Sequence, residues 1–418
     1  MLVAAARVPA TRRLAALLYG YAFLTDLVLL YPFYVLLFAD TGLSVGQISS
    51  LFVLWAAAGI LLEVPSGVWA DAVSRRLLLC LGPVVTATGF ALWVLLPSYP
   101  AFAVGFLLWG AGGALRSGAL EALVFTELDR LGAAHRYARL IGRARTAEVL
   151  GVVGSGVLAG PVFALGGYLA VGSASVATCL LAAVVATRLP EHRPPPAAPA
   201  GPAGLDGPSG PDGPDSRGPD GQPGDDEPGW RDSLRLGFAE VRADHRIRAA
   251  VLLVAAVTAI WGGLEEYTGL LARDVGVGDA GVPLLLLLVS AGMTAGGLLA
   301  PLGERLSHRG YAGLLVLAAA ATAAGALLRH PAGFLLLAVA FAAFQLATVL
   351  ADVRLQARIR GSARATVTSL AGMTTDLTIV AFYGGYGLLA GAVGNPVAFG
   401  VAVLPYVLVA LWLLTGRA

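Results

Sequence analysis

Apolar residues along this chain come in runs of about 20, each closed by a short polar stretch, the length a helix needs to cross ~30 Å of hydrocarbon. Read in those units, spans are predicted near residues 14–38, 47–70, 77–96, 101–126, 141–164, 167–187, 248–272, 281–303, 311–329, 332–353, 365–390 and 396–415. The pattern predicts an all-α membrane protein with twelve transmembrane helices. It breaks once, at about 190–230, where a tract of Pro, Gly and Asp has nothing to bury and reads as a disordered, acidic cytoplasmic linker. Glycines recur there at every third position, but the run is too short and interrupted for a collagen helix. Residues 1–189 are expected to form one six-helix bundle and 231–418 a second, introduced by an amphipathic helix over 230–248 lying along the membrane surface.

Composition agrees. The 418 residues are 57% hydrophobic and 13% charged, far from the balance of a soluble domain. A net charge of +2 and no basic stripe with interleaved aromatics argue against nucleic-acid binding. Every basic side chain is Arg, and without Lys there is no lysine Schiff-base chemistry. The five histidines lie in loops or at helix ends without metal-ligand spacing, no phosphate-binding loop occurs, and no nucleophile with a base and an orienting group stands out. The expectation is a protein that is not an enzyme and needs no cofactor or metal. Cys80 and Cys179 fall inside apolar runs, as space-filling thiols do. The N-terminal "MLVAAARVPATRR" leads into an apolar run without a cleavage site and reads as a first span, not a removed signal.

Cytoplasmic loops retain arginine. With the N-terminus inside, Arg7, Arg12, Arg13, Arg75, Arg76, the cluster from Arg130 to Arg145, Arg305, Arg309, Arg354 to Arg364 and Arg417 are all cytoplasmic, and only Arg273 and Arg329 face outward. Both termini are therefore expected inside the cell membrane.

The stretch "LLEVPSGVWADAVSRR", residues 61–76, places Gly67, Asp71, Arg75 and Arg76 at the end of span two and in the loop after it. This resembles the loop between spans two and three of the major facilitator superfamily, although Ala72 stands at its usual basic position and Ser74 at its usual glycine. A carboxylate at that edge can sit against a helix N-terminus of the other half while arginines tie the loop to nearby acids. The second half repeats the loop as "LLAPLGERLSHRG": Glu304 aligns with Asp71, Ser307 with Ser74 and Arg309 with Arg76, and Arg305 adds a basic residue. Repetition points to internal duplication and hence to two pseudo-symmetric six-helix bundles. In span five, Gly156, Gly160 and Pro161 of "GVVGSGVLAGPVFALGG" are similar to a run that accompanies antiporters in this superfamily, and glycines four apart also simply let helices pack closely.

Ionisable groups in mid-membrane are costly and therefore candidates for function. Asp26 falls in span one and Arg116 in span four; Glu121, about 140° further round a continuous helix, would not share the Arg116 face. The resemblance implies that spans one, four, seven and ten line a central cavity, across which Asp26 and Arg116 could meet. A carboxylate holds its proton less tightly beside a cation, so the pair is either a proton-coupling device or a permanent structural ion pair. Glu63 and Glu121, nearer the cytoplasm, are candidates to relay protons or to bond neighbouring helices. Further cavity candidates are Tyr19, Trp109, Trp261, Glu265, Glu266, Gln345 and Asp376. The reading that follows is a monomeric secondary transporter in the lipid bilayer of the plasma membrane, exporting a small organic or amphiphilic molecule against protons. The alternatives are an importer or facilitator, and then a multi-span enzyme or channel.

Overall fold

In hydrocarbon every backbone N–H and C=O must find a partner inside the protein, so apolar runs of this length fold as helices. The computed structural model describes residues 2–192, 244–303, 305–359 and 364–415. The predicted linker beyond His192 and the amphipathic stretch as far as residue 243 lie outside the described residues.

The first half contains Leu2–Asp26 followed by the short helix Tyr34–Asp40 (span one), Val45–Ala72 (two), Arg75–Leu95 (three), Tyr99–Arg116 followed by Ala119–Arg130 (four), and Tyr137–Thr187 (five and six). The second half contains His245–Glu265 followed by Thr268–Asp274 (seven), Val282–Leu298 with Ala300–Gly303 (eight), His308–Leu327 (nine), Gly333–Arg358 (ten), Arg364–Val393 (eleven) and Asn395–Ala402 with Leu404–Leu414 (twelve). Spans five and six form one helical stretch with a turn at Gly166 and Gly167; Gly167 has φ +61°, a conformation that only glycine adopts cheaply. Among the described residues nine helices are long and apolar enough to cross a membrane, the fused pair counting once. Spans one and four fall outside that set, and both are interrupted.

The two predicted loops start the next helix in the same way. Ser74 caps Arg75–Leu95, its hydroxyl accepting from the Leu77 N–H at 3.1 Å, and Ser307 caps His308–Leu327 by accepting from the Gly310 N–H at 3.2 Å. The serine standing where the family pattern has glycine is thus a helix N-cap in both halves. Arg75 spans the loop: its backbone N–H donates to Glu191 (2.8 Å) and its guanidinium to the Ala122 carbonyl (3.2 Å) and the Thr126 hydroxyl (2.9 Å). Arg76, Arg305 and Arg309 are exposed. The surroundings of Glu63, Gly67 and Asp71, and all of Glu304, lie outside the described residues.

The halves are fused toward one rim. Arg273 of the second half donates twice to Asp40 of the first, at 2.5 and 3.0 Å, and also reaches Tyr168 (3.3 Å); Ser49 shares a hydrogen bond with Tyr267 at 2.7 Å. The main apolar core runs through both halves there, joining Phe52, Trp93 and Phe106 to Tyr267, Tyr383 and Tyr386. Toward the Ser74 rim the first half has a separate core of its own, from Leu14 and Leu18 to Leu128 and Ala186. The ion pairs there, Arg145 with Glu121 and Glu148 and Arg130 with Glu127, stay within that half. The molecule is closed at the Asp40 rim.

Candidate transport site

The interruption in span one covers residues 27–33 and includes Pro32, which has no N–H to offer a helix. Freed backbone groups at that depth need side-chain partners, and spans five and six supply them. The Leu30 N–H donates to the Ser175 hydroxyl at 2.9 Å, and the Ser155 hydroxyl donates to the Val28 carbonyl at 2.6 Å. Gly151 lets the strands of backbone come together: a Cβ there would sit 2.5 Å from the Phe23 carbonyl oxygen. Span four breaks at Ser117 and Gly118, the latter at φ +72°, and span seven at Glu266 and Tyr267.

Each of these breaks follows an ionisable residue. Asp26, Arg116 and Glu265 are the last residues of their helical segments, where carbonyls leave the ladder unpaired. The short helices after the breaks in spans one and seven, Tyr34–Asp40 and Thr268–Asp274, are equal in length and end at the Asp40 rim, a second sign of duplication.

Asp26 and Arg116 line one cavity of about 350 Å³, together with Thr25, Glu121, Arg145 and Glu148. They do not pair: among the described residues no ion pair joins them, and Asp26 accepts only a long hydrogen bond from Thr25 (3.5 Å). The Arg116 stem runs past Gly82, where a Cβ would stand 2.7 Å from its Cγ, and its Nε is buried without a hydrogen-bond partner among the described residues. Glu121 accepts from Arg145 at 3.3 Å and lines the same cavity as Arg116. The argument from helical phase fails at this point because it assumes a continuous helix, and the left-handed Gly118 resets the phase.

A second cavity, about 360 Å³, lies between the halves under the closed rim. Glu265 and Glu266 of span seven line it together with Tyr31, Tyr34, Trp55 and Trp109. The Tyr34 hydroxyl donates to Glu266. Trp109 stacks on Trp55 (4.9 Å, 20°) and on Tyr31 (5.4 Å, 20°), making an aromatic wall. Gly156 and Gly160 sit on the span-five face that meets the second half: a Cβ at Gly156 would lie 2.4 Å from Leu287, and one at Gly160 2.4 Å from the Ala280 carbonyl oxygen. Pro161, next to them, is exposed.

The other sequence candidates lie elsewhere. Trp261 is buried in the second-half core, its indole N–H donating to Thr348 at 3.0 Å and its backbone N–H to Tyr406 at 2.9 Å. Tyr19 packs against the first-half core, Gln345 sits beside Gly297 between spans eight and ten, and Asp376 is half-buried in span eleven. Tyr31 and Trp55 line the central cavity and were not singled out from sequence; in helices apolar on all sides, nothing in the spacing distinguishes a cavity face from a core face.

Two six-span halves, joined at one rim around a cavity with acidic and aromatic walls, have the architecture of a membrane transporter. The chain belongs to the Major Facilitator Superfamily, whose family model matches residues 15–382. No curated protein of known function matches its sequence significantly. Among solved structures it is similar to a bacterial homolog of the human lysosomal transporter Spinster in an inward-facing, unoccupied conformation (TM-score 0.66, 17% identity, covering 99% of this chain and 98% of that one). It is also similar to the nucleoside transporter NupG (0.65, 14%, 96% and 98%) and a D-xylose-proton symporter (0.61, 14%, 97% and 96%). At these identities the likeness is one of fold.

Proposed function

We propose that this protein is a proton-coupled secondary transporter of the cell membrane, acting as a monomer with both termini in the cytoplasm, that exports a small organic, amphiphilic molecule. The observation that carries the reading is Arg116. Half-buried Arg116, its Nε buried without a partner among the described residues, shares a cavity with a carboxylate, Asp26, with which it forms no ion pair, and both stand at helix breaks that can adjust as the halves move. Unpaired charge at that depth is expensive, so an arrangement with two settings, Arg116 engaged by Asp26 or withdrawn from it, suits proton release and loading. With the arginine-rich Ser74 rim facing the cytoplasm, the closed Asp40 rim is the outer one and the state is inward-facing, open to proton discharge and to substrate from inside.

Glu121, linked to Arg145, offers the proton a route between Asp26 and the cytoplasmic rim. The test is Asp26→Asn in cells and proteoliposomes of controlled proton gradient. An exported substrate should cease to be driven by the gradient in the variant while passive exchange persists. Transport that is unchanged in Asp26→Asn, or indifferent to an uncoupler, would refute coupling through Asp26, and gradient-driven accumulation inside the cell would turn the reading to import.

A further inference from the structure

Resting on that reading, we infer that the central cavity takes an organic cation, its charge held by Glu265 and its apolar body against the wall of Tyr31, Trp109 and Trp55. The cavity, about 360 Å³, is of a size for a small organic molecule. Its lining contains two carboxyl side chains and no Arg or His. Among the described residues neither acid forms an ion pair, Tyr34 donates to the Glu266 carboxylate, and the Glu265 carboxylate has no hydrogen-bond partner, its backbone carbonyl alone accepting from Thr268. The acid left over is thus the one at the end of the helical segment, and it lines the same cavity as the aromatic side chains.

Each lining group narrows the ligand. A neutral or anionic substrate would leave the Glu265 charge uncompensated against a largely apolar lining, whereas a cation compensates it and is drawn to aromatic faces as well. A metal ion is a poor fit: no group of three or more His, Cys, Asp or Glu that could hold one occurs among the described residues, and most of the lining is apolar. Trp109 is braced between Tyr31 and Trp55, so the wall is formed before any ligand arrives. That leaves a monovalent cation with an aromatic or aliphatic body.

The experiment uses the purified full-length protein in nanodiscs and isothermal titration calorimetry with two probes of similar shape, methyltriphenylphosphonium and neutral triphenylphosphine oxide. The wild type should bind the phosphonium at least tenfold more tightly than the oxide. Glu265→Gln should abolish that preference, Glu265→Asp should restore part of it, and Trp109→Leu should weaken phosphonium binding severalfold. Oxide binding reports whether each variant still has an intact pocket. Equal affinity for the two probes in the wild type, a preference that survives Glu265→Gln in a variant that still binds the oxide, or binding of neither probe would overturn the inference. Flux measured in proteoliposomes separates this result from the transporter reading. Charge-selective binding without gradient-driven flux upholds the cation site and removes proton coupling. Gradient-driven transport that Asp26→Asn abolishes, with no charge preference in binding, upholds the transporter and removes the cation site.

Discussion

Replacing Arg273 by Ala should shift the protein toward the state open at the Asp40 rim. Arg273 belongs to the second half and Asp40 to the first, and their two hydrogen bonds of 2.5 and 3.0 Å exist only while that rim is closed. The contact with Asp279 lies within the second half and survives opening, so it adds nothing to the difference between the states; it holds the guanidinium in place. Exposed ion pairs contribute ~0–1 kcal/mol, and a bidentate, charge-assisted geometry raises that. With the two side chains 27% and 42% exposed, about 1–2 kcal/mol is a fair value for the cross-half pair. By 1.4 kcal/mol per factor of ten this is a shift of roughly 5- to 30-fold in the open-to-closed ratio. Leaving Asp40 and Asp279 facing each other without the cation pushes in the same direction. The assay is electron–electron double resonance between spin labels at Ser98→Cys and Ala332→Cys, exposed positions on that rim, with Cys80 and Cys179 removed. Arg273→Ala should raise the long-distance population, and Asp40→Ala with Arg273→Ala should do little more than either alone. A distance distribution unchanged by Arg273→Ala would refute the argument that this pair holds the rim shut.

Other predictions follow from single contacts. Gly160→Val would place side-chain atoms against the Ala280 carbonyl, which cannot move aside, so the variant should insert normally but fail to close the Asp40 rim in the same resonance experiment. Ser175→Ala removes the acceptor of the Leu30 N–H inside the span-one break and should cost about 1–3 kcal/mol, read as a lower midpoint of thermal unfolding. At the Ser74 rim the buried Glu127 carboxylate accepts from the His192 side chain at 2.9 Å and from Arg130 at 3.2 Å, so His192→Ala should cost about 0.5–1.5 kcal/mol by the same measure.

The apolar runs made the twelve spans legible because membrane helices are the one secondary structure whose length and composition are fixed by the solvent. Asp26, Arg116, Glu265 and Glu266 were legible for the same reason: a charge in such a run has to have a use. What the runs conceal is interruption. Pro32 and Gly118 are visible residues, but a proline or glycine in a membrane helix can equally be absorbed without a break, and the result depends on whether a neighbour such as Ser175 is there to take the freed N–H. The failed phase argument for Arg116 and Glu121 comes from that. Pairing between halves is equally hidden. Arg273 stood out only as an exception to the arginine asymmetry, and the exception has a cause, since it is tied to Asp40, Asp279 and Tyr168 at the closed rim. Trp261 shows the converse, a mid-span aromatic that serves the core.

The placement of charge at helix breaks has a mechanical consequence. A mid-helix side chain can move only with its whole span, whereas Asp26, Arg116 and Glu265 each end one rigid segment and adjoin a few residues whose backbone can turn. Tyr31 lies within the break that follows Asp26 and also lines the central cavity, against Trp109 of the segment that Arg116 closes. A ligand pressing on the Tyr31 and Trp109 wall therefore acts on the same two segments whose ends carry Asp26 and Arg116. The proposed coupling between substrate and proton then needs no long relay: the rings and the charges are on the same short pieces of chain, and what displaces one displaces the other.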